Sequence, residues 1–204
     1  AHTRGRVLMP RLLPAFCAAH PQVHVVLRER SNEGLETSLL AGRSDVAIAQ
    51  FSGNLPELET LSLYRETILL VAPRALVPPG ASCVADLARV PFLLGASADI
   101  AGRAAQAEFE RAGISPQVAV RSDNVETLLA LCAEGMGACF CPDTLMEAAF
   151  GSREPDPERF WVLPVGDPYP ISIAHLKRPY VSEAIRAFEA FCQEALGSTT
   201  AISQ

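Results

Sequence analysis

Bond-making chemistry needs a nucleophile, a base beside it and a group that orients the base. The residues that could supply these are four histidines (His2, His20, His24, His175) and six cysteines (Cys17, Cys83, Cys132, Cys139, Cys141, Cys192). None of the histidines lies in a recognisable motif, and there is neither a G-x-S-x-G elbow nor a phosphate loop. No C-x-x-C pair occurs and no Cys/His cluster has zinc spacing, so neither a metal nor a cofactor is expected. Cys139 and Cys141 stand two apart on one face of an expected strand, where disulfide geometry is reached only with strain. They read as core thiols. No catalytic residue is expected.

The sequence does offer short polar or glycine-bearing positions at the ends of elements, which suit binding. Thr3 stands ahead of the first helix, either as a plain N-cap or as a hydroxyl donor to an anion beside backbone N–H groups. Ser31 follows a strand and opens a helix, with the same two roles open. Gln50 ends a buried strand with an amide that both donates and accepts, and ligand contact is the favoured role. Ser97, Ala101 and Gly102 precede another helix, where small side chains let a ligand approach backbone N–H groups. Ser122 ends a strand, and Asp123 beside it reads as a cap.

Alternating elements must position these residues. Residues 6–19 place Leu8, Leu12, Ala15, Phe16 and Ala19 on one helical face, stopped by His20-Pro21. Val23, Val25 and Leu27 alternate with His24, Val26 and Arg28 as a strand. Ser31 or Asn32 caps a helix bearing Leu35, Leu39 and Leu40, and Asp45–Gln50 is a buried strand. Two strand-like runs, 59–64 and 66–72, precede Pro73–Ser82, whose prolines and Gly80 read as a connection between lobes. A second series follows: a strand at Phe92–Leu94, a helix near 101–112 and a strand at Val118–Val120. Asp123-x-x-Glu126 opens a helix with Val125, Leu128, Leu129 and Cys132 inward, and Ala138–Cys141 is a buried strand. Strands near 159–165 and 169–176 and a helix capped by Ser182 close the chain. The pattern predicts an α/β fold of two lobes with largely parallel sheets. Such sheets bind ligands at the carboxyl ends of their strands, so two facing lobes would form a ligand cleft.

The bulk properties exclude several classes. The chain of 204 residues is 49% hydrophobic and 20% charged, with a net charge of −6 and Lys177 as its only lysine. Duplex binding relies on clustered Lys and Arg, so this chain is not expected to hold DNA itself. No apolar run approaches the roughly 20 residues that span a bilayer, and no signal peptide is recognisable. Six cysteines spread through apolar segments read as reduced, buried thiols and a cytoplasmic location.

Six segments, in order, resemble the effector-binding domain of LysR-type transcriptional regulators: RVLMPRLLPAFCAAHPQVHVVLRE, LETSLLAGRSDVAIA, LYRETILLVAP, VADLARVPFLL, RAGISPQVAVRSDNVETLLALCAEGMGACFCPDTL and VSEAIRAFEAFCQEAL. The resemblance implies two Rossmann-like lobes of the periplasmic-binding-protein type II kind. Lobe I would take residues 1–72 and 175–204, and lobe II residues 73–174. It also implies a small-molecule effector, anions included, and a homodimer or homotetramer built on the helix at 6–19 and the one after the inter-lobe break. DNA would be contacted only through an N-terminal winged helix-turn-helix that this chain does not include, and no membrane is involved. Residues 1–3 fall where the family's first strand ends. The opening AHTRGRVLMP is similar to that of the sulfate- and acetylserine-sensing members, with Ala1 for a ligand-binding threonine, Thr3 kept, and Arg4 for a glutamine. This adds His2 and Arg4 to the expected contacts. Gln50 stands for a threonine, and Ala101-Gly102-Arg103 resembles T-G-R with its threonine lost, which points away from sulfate. Peroxide-sensing members carry cysteines corresponding to about 96–110, and none occurs here. A free-standing solute-binding protein of a transporter is the alternative; an enzyme on a similar fold has no residue set to support it.

Overall fold

A computed structural model of the chain describes residues 2–51, 55–97, 99–151 and 155–197, with the side chains of His2 and Thr3 left out. Its elements in order are α1 (His2–Ala19), α2 (Asn32–Leu40), β1 (Ala47–Ala49), β2 (Leu58–Pro73), β3 (Pro91–Leu94), α3 (Ile100–Ala112), β4 (Gln117–Arg121), α4 (Val125–Ala133), β5 (Ala138–Pro142), α5 (Thr144–Phe150), β6 (Phe160–Leu176) and α6 (Glu183–Gly197). They form two compact units. The first takes the chain up to Glu66 and again from Tyr169 onward; the second is Thr67–Pro168. The chain thus changes unit inside β2 and inside β6, six residues ahead of the divisions expected at 72/73 and 174/175.

In the first unit the strand order is β1, β6, β2, with Ile48 opposite Ile173 in the antiparallel β1–β6 ladder. Side chains alternate across a strand, so each strand here feeds two cores. Ile173 joins Leu8 and Leu12 of α1, Leu63, and Cys192 and Leu196 of α6. Ala174 turns the other way, to Leu35 and Leu39 of α2 with Ala47, Ala49 and Leu58. Phe16 seals the first core, edge-on to Phe188 at 4.9 Å and Phe191 at 5.7 Å. In α1 the expected inward residues Leu8, Leu12 and Phe16 are buried, but Ala15 and Ala19 are exposed. Pro10 and Pro14 lie inside the helix on its exposed side. Each removes one helical hydrogen bond, and on that side water can satisfy the freed carbonyl.

The second unit orders its strands β2, β5, β3, β4. β3 pairs parallel with its neighbours β4 and β5, while β2 is antiparallel to β5, as β1 is to β6. The expectation of largely parallel sheets is therefore corrected: the two long strands return against their neighbours. Phe92, Phe109 of α3 and Phe140 form one core, with ring centroids 4.9 to 6.2 Å apart. The alternate side chains of the same strands, Cys139 and Cys141, face Cys132 of α4 and Met146 of α5.

Three further expectations change. The runs at 59–64 and 66–72 are one strand, and so are those at 159–165 and 169–176. Gly166 and three prolines made β6 look interrupted. Gly166 takes φ +67, and Pro164, Pro168 and Pro170 are exposed. β1 covers β6 only at Ser172–Ala174, so the prolines lie outside that ladder, and proline is tolerated in a strand where no N–H is needed. Residues 23–28 belong to no strand: Val25, Val26 and Leu27 are 37%, 64% and 53% exposed. Finally, helix α5 was not anticipated, and two of the six cysteines, Cys17 and Cys83, are exposed rather than buried.

Candidate functional site

Helix α1 begins by His2, so Arg4 lies in its first turn and not ahead of it. Arg4 is buried at 5% exposure, and its Nη2 donates to Oε2 of Glu66 at 2.7 Å. Glu66, in β2, is fully buried. The hydroxyl of Tyr169, in β6, donates to the same carboxylate oxygen at 2.6 Å. Burial works against the guanidinium charge, but the adjacent Glu66 outweighs it and raises Arg4 above its ordinary value. Arg4 is therefore a fixed cation. Its Nε and Nη1 are buried without a hydrogen-bond partner among the described residues. A guanidinium carries five N–H donors in a fixed fork matched to a carboxylate or phosphate. Here one arm is used by Glu66, and the other groups have no acceptor.

The second unit's expected contacts cluster at the start of α3, and there the chain fills its own donor sites. Asp99 is the N-cap, and Oδ1 accepts from the N–H of Gly102 at 2.6 Å. Burial raises the Asp99 pKa; the bond from Gly102 lowers it less. Gly102 is needed for close packing: a Cβ there would collide with the carbonyl of Ala96. Ala101 is buried and Ser97 exposed. Among the expected residues, Ser31 caps α2 by accepting from Gly34 N–H at 3.1 Å, and Ser122 accepts from Asn124 N–H at 3.1 Å. Asn124, not Asp123, caps α4, accepting from the N–H groups of Glu126 and Thr127. Gln50 follows β1 half-buried. The side chains of His2 and Thr3 lie outside the described residues.

Thus Arg4, alone among the named residues, combines burial, charge and unused donors. Sequence reasoning missed its partners Glu66 and Tyr169. The available signal was a carboxylate just ahead of the buried run Ile68–Ala72, where only a paired charge is tolerated. The other buried titratable groups have local roles. His175 bonds the Leu176 carbonyl through Nδ1 at 2.9 Å and faces Glu189 at 3.3 Å, tying β6 to α6. The Cys139 thiol is pushed well up by its bonds with Cys132 and Cys141 and by burial, which keeps it protonated and unreactive at neutral pH. Among the described residues no group of three His, Cys, Asp or Glu side chains could hold a metal. No described helix is long and apolar enough to cross a membrane.

The family model for the LysR substrate binding domain matches residues 1–197. An uncharacterized HTH-type transcriptional regulator, YcgK of Bacillus subtilis, is 26% identical over 216 residues, covering 96% of this chain. The chain spans 65% of that relative's length. The C-terminal domain of a probable LysR family regulator from Rhodococcus is 26% identical with a TM-score of 0.71, covering 92% of this chain and 93% of that one. The effector binding domain of QuiR, solved in complex with shikimate, is 18% identical with a TM-score of 0.69, covering 93% of this chain and 90% of that one.

Two outcomes follow. Arg4→Met removes the buried 2.7 Å ion pair with Glu66 and should cost about 3–5 kcal/mol in urea unfolding. The double variant Arg4→Met/Glu66→Leu should recover most of that loss; equal losses in both would mean the pair is not the buried contact described. For Asp99 the native carboxyl holds its proton more tightly than the unfolded one. Its contribution is therefore full below the ordinary carboxylate range and is lost as pH rises through the raised native value. Asp99→Asn keeps the cap and should gain on wild type across that window. Asp99→Ala should lose about 1 kcal/mol of helix capping below the ordinary carboxylate range, and less as pH rises through the raised native value.

Proposed function

The chain belongs to the LysR substrate binding domain family, and we propose that it is the effector-sensing part of a bacterial transcriptional regulator. A small anionic metabolite, most simply a carboxylate, is the effector of this reading. The observation that carries it is the Arg4 guanidinium, buried and charged, with Nε and Nη1 unpaired. A buried donor without a partner costs about 1–3 kcal/mol, more when charged. An incoming carboxylate would supply the missing acceptors and recover that cost on binding. The helix start that holds Arg4 favours negative charge as well. Shikimate, carried by the QuiR domain, is a ligand of this chemical class.

In this proposal His2, Thr3 and Gln50 complete the contacts around Arg4. Ser31, Ser97, Ala101, Gly102 and Ser122 contribute through the backbone they order. Binding changes the domain's conformational equilibrium by the effector's differential affinity for its states. Transcription responds through a separate N-terminal DNA-binding domain in a homodimer or homotetramer, in the cytoplasm, with no reaction catalysed.

The test is a thermal-unfolding screen of small anions, including shikimate, sulfate and a series of mono- and dicarboxylates. A ligand at 100 times its Kd adds about 2.7 kcal/mol, which is a shift of several degrees. The expected result is stabilisation by at least one carboxylate and its loss in Arg4→Gln. A carboxylate whose shift survives Arg4→Gln, or a panel with no shift at all, would contradict the assignment.

A further inference from the structure

His175, in β6, is 3% exposed, and its two ring nitrogens meet different partners. Nδ1 stands 2.9 Å from the carbonyl oxygen of Leu176. A carbonyl only accepts, so Nδ1 carries a hydrogen. Nε2 stands 3.3 Å from Oε1 of Glu189 in α6 and 4.0 Å from Oε2 of Glu59 in β2. With the hydrogen on Nδ1 fixed, Nε2 of a neutral ring offers only a lone pair. Two arrangements then make a hydrogen bond. An imidazolium donates to the Glu189 carboxylate, or a protonated Glu189 donates to the neutral ring. Each holds one proton between the two side chains. Without that proton a lone pair faces a carboxylate, and the buried ring has almost no water to turn to.

The surroundings favour keeping the proton. Burial pushes the Glu189 carboxyl above its ordinary range and Glu59 adds to the push, while His175 and Arg186 pull the other way. Cys192, one turn further along α6, is pushed up to about 12 by burial and by Glu189, so it neither takes nor supplies the proton near neutrality. Glu59 is 66% exposed and open to water, whereas Glu189 is 18% exposed and held against the ring. From α1 and β1 the neighbouring core around Ile173 receives Leu8, Leu12, Val46 and Ile48, none of which titrates. We propose that a single proton shared by His175 and Glu189 latches α6 to β6, and that α6 loosens from the sheet as rising pH removes it. α6 supplies Cys192 and Leu196 to the core it shares with α1, and sets Phe188 and Phe191 against Phe16. A looser α6 therefore frees α1, whose first turn holds Arg4. The latch is built of residues other than those proposed for the effector, and it stands whichever effector binds. The native Glu189 carboxyl binds its proton more tightly than the unfolded one. The contribution of the latch is therefore complete in acid and is lost as pH rises through the native value at which the shared proton leaves.

Glu189→Gln tests this, because an amide donates to Nε2 with no proton to lose. Melting temperatures of the wild-type protein and the variant are compared from about pH 5 to about pH 9, a range that spans the titration of carboxylate and histidine pairs. The wild-type protein is expected to lose about 2–4 °C more than the variant as pH rises. Asp99 titrates in both proteins and cancels in the difference. A second measurement uses the wild-type protein alone. The ¹⁵N shifts of the His175 ring should show Nδ1 protonated throughout, while Nε2 changes as the shared proton leaves. Over the same step the amides of residues 189–197 should exchange at least about 10-fold faster than the intrinsic effect of pH accounts for. Equal pH dependence in the two proteins, a ring that loses its Nδ1 hydrogen first, or α6 amides that keep their protection as the proton leaves would each overturn the proposal.

Discussion

The ion pair between Arg4 and Glu66 is the contact on which the rest of the first unit turns. Both charges are buried, one 5% exposed and the other not at all, and they meet at 2.7 Å. The pair joins the first turn of α1 to β2, and Tyr169 brings β6 to the same oxygen. These three elements also share the Leu8, Leu12, Leu63 and Ile173 core. A buried pair is weak evidence for stability, since an apolar replacement of similar volume often does as well. The pair also leaves one arm of the guanidinium free of Glu66. A cation that is always charged and already oriented loses little on meeting a carboxylate.

The two units handle anion-binding positions in opposite ways. At the start of α3, where backbone N–H groups suit an anion, the protein supplies its own carboxylate in Asp99. Burial raises that group's pKa, and the cap is kept all the same because the loop of Ala96 and Ser97 packs tightly over Gly102. At the start of α1 the protein supplies a cation with unused donors. At α3 the cap therefore uses the Gly102 N–H, whereas at α1 donors are left over.

Much of the fold was legible in the sequence, because most elements are short and punctuated. Gly113 and Gly135 stop their helices with positive φ, and apolar periodicity located the inner faces of α2 and α4. What failed were positions where local chemistry loses to the partner strand. Gly166 and its neighbouring prolines suggest a turn, but one open edge lets β6 continue through them. Residues 23–28 alternate like a strand yet, among the described residues, make no main-chain bond to a strand, and alternation alone cannot supply hydrogen bonds. The site was legible in part. Arg4 could be named from the resemblance, whereas its partners lie 62 and 165 positions away along the chain, beyond any spacing rule. Ser31 shows the usual outcome for a polar residue beside a helix, which is capping, and Ser122 holds the N–H of Asn124, the cap of α4.

The most direct test of this account is the ¹⁵N–¹H resonance of the Arg4 Nε–H group, assigned by comparison with Arg4→Lys. In the free protein it should be visible and slow to exchange, since that N–H is buried and the guanidinium stays charged. Titration with a stabilising carboxylate should move it downfield, as an N–H does on gaining a charged acceptor. A ligand that binds and stabilises the domain while leaving that resonance in place would contradict the claim that Arg4 is the effector's anchor.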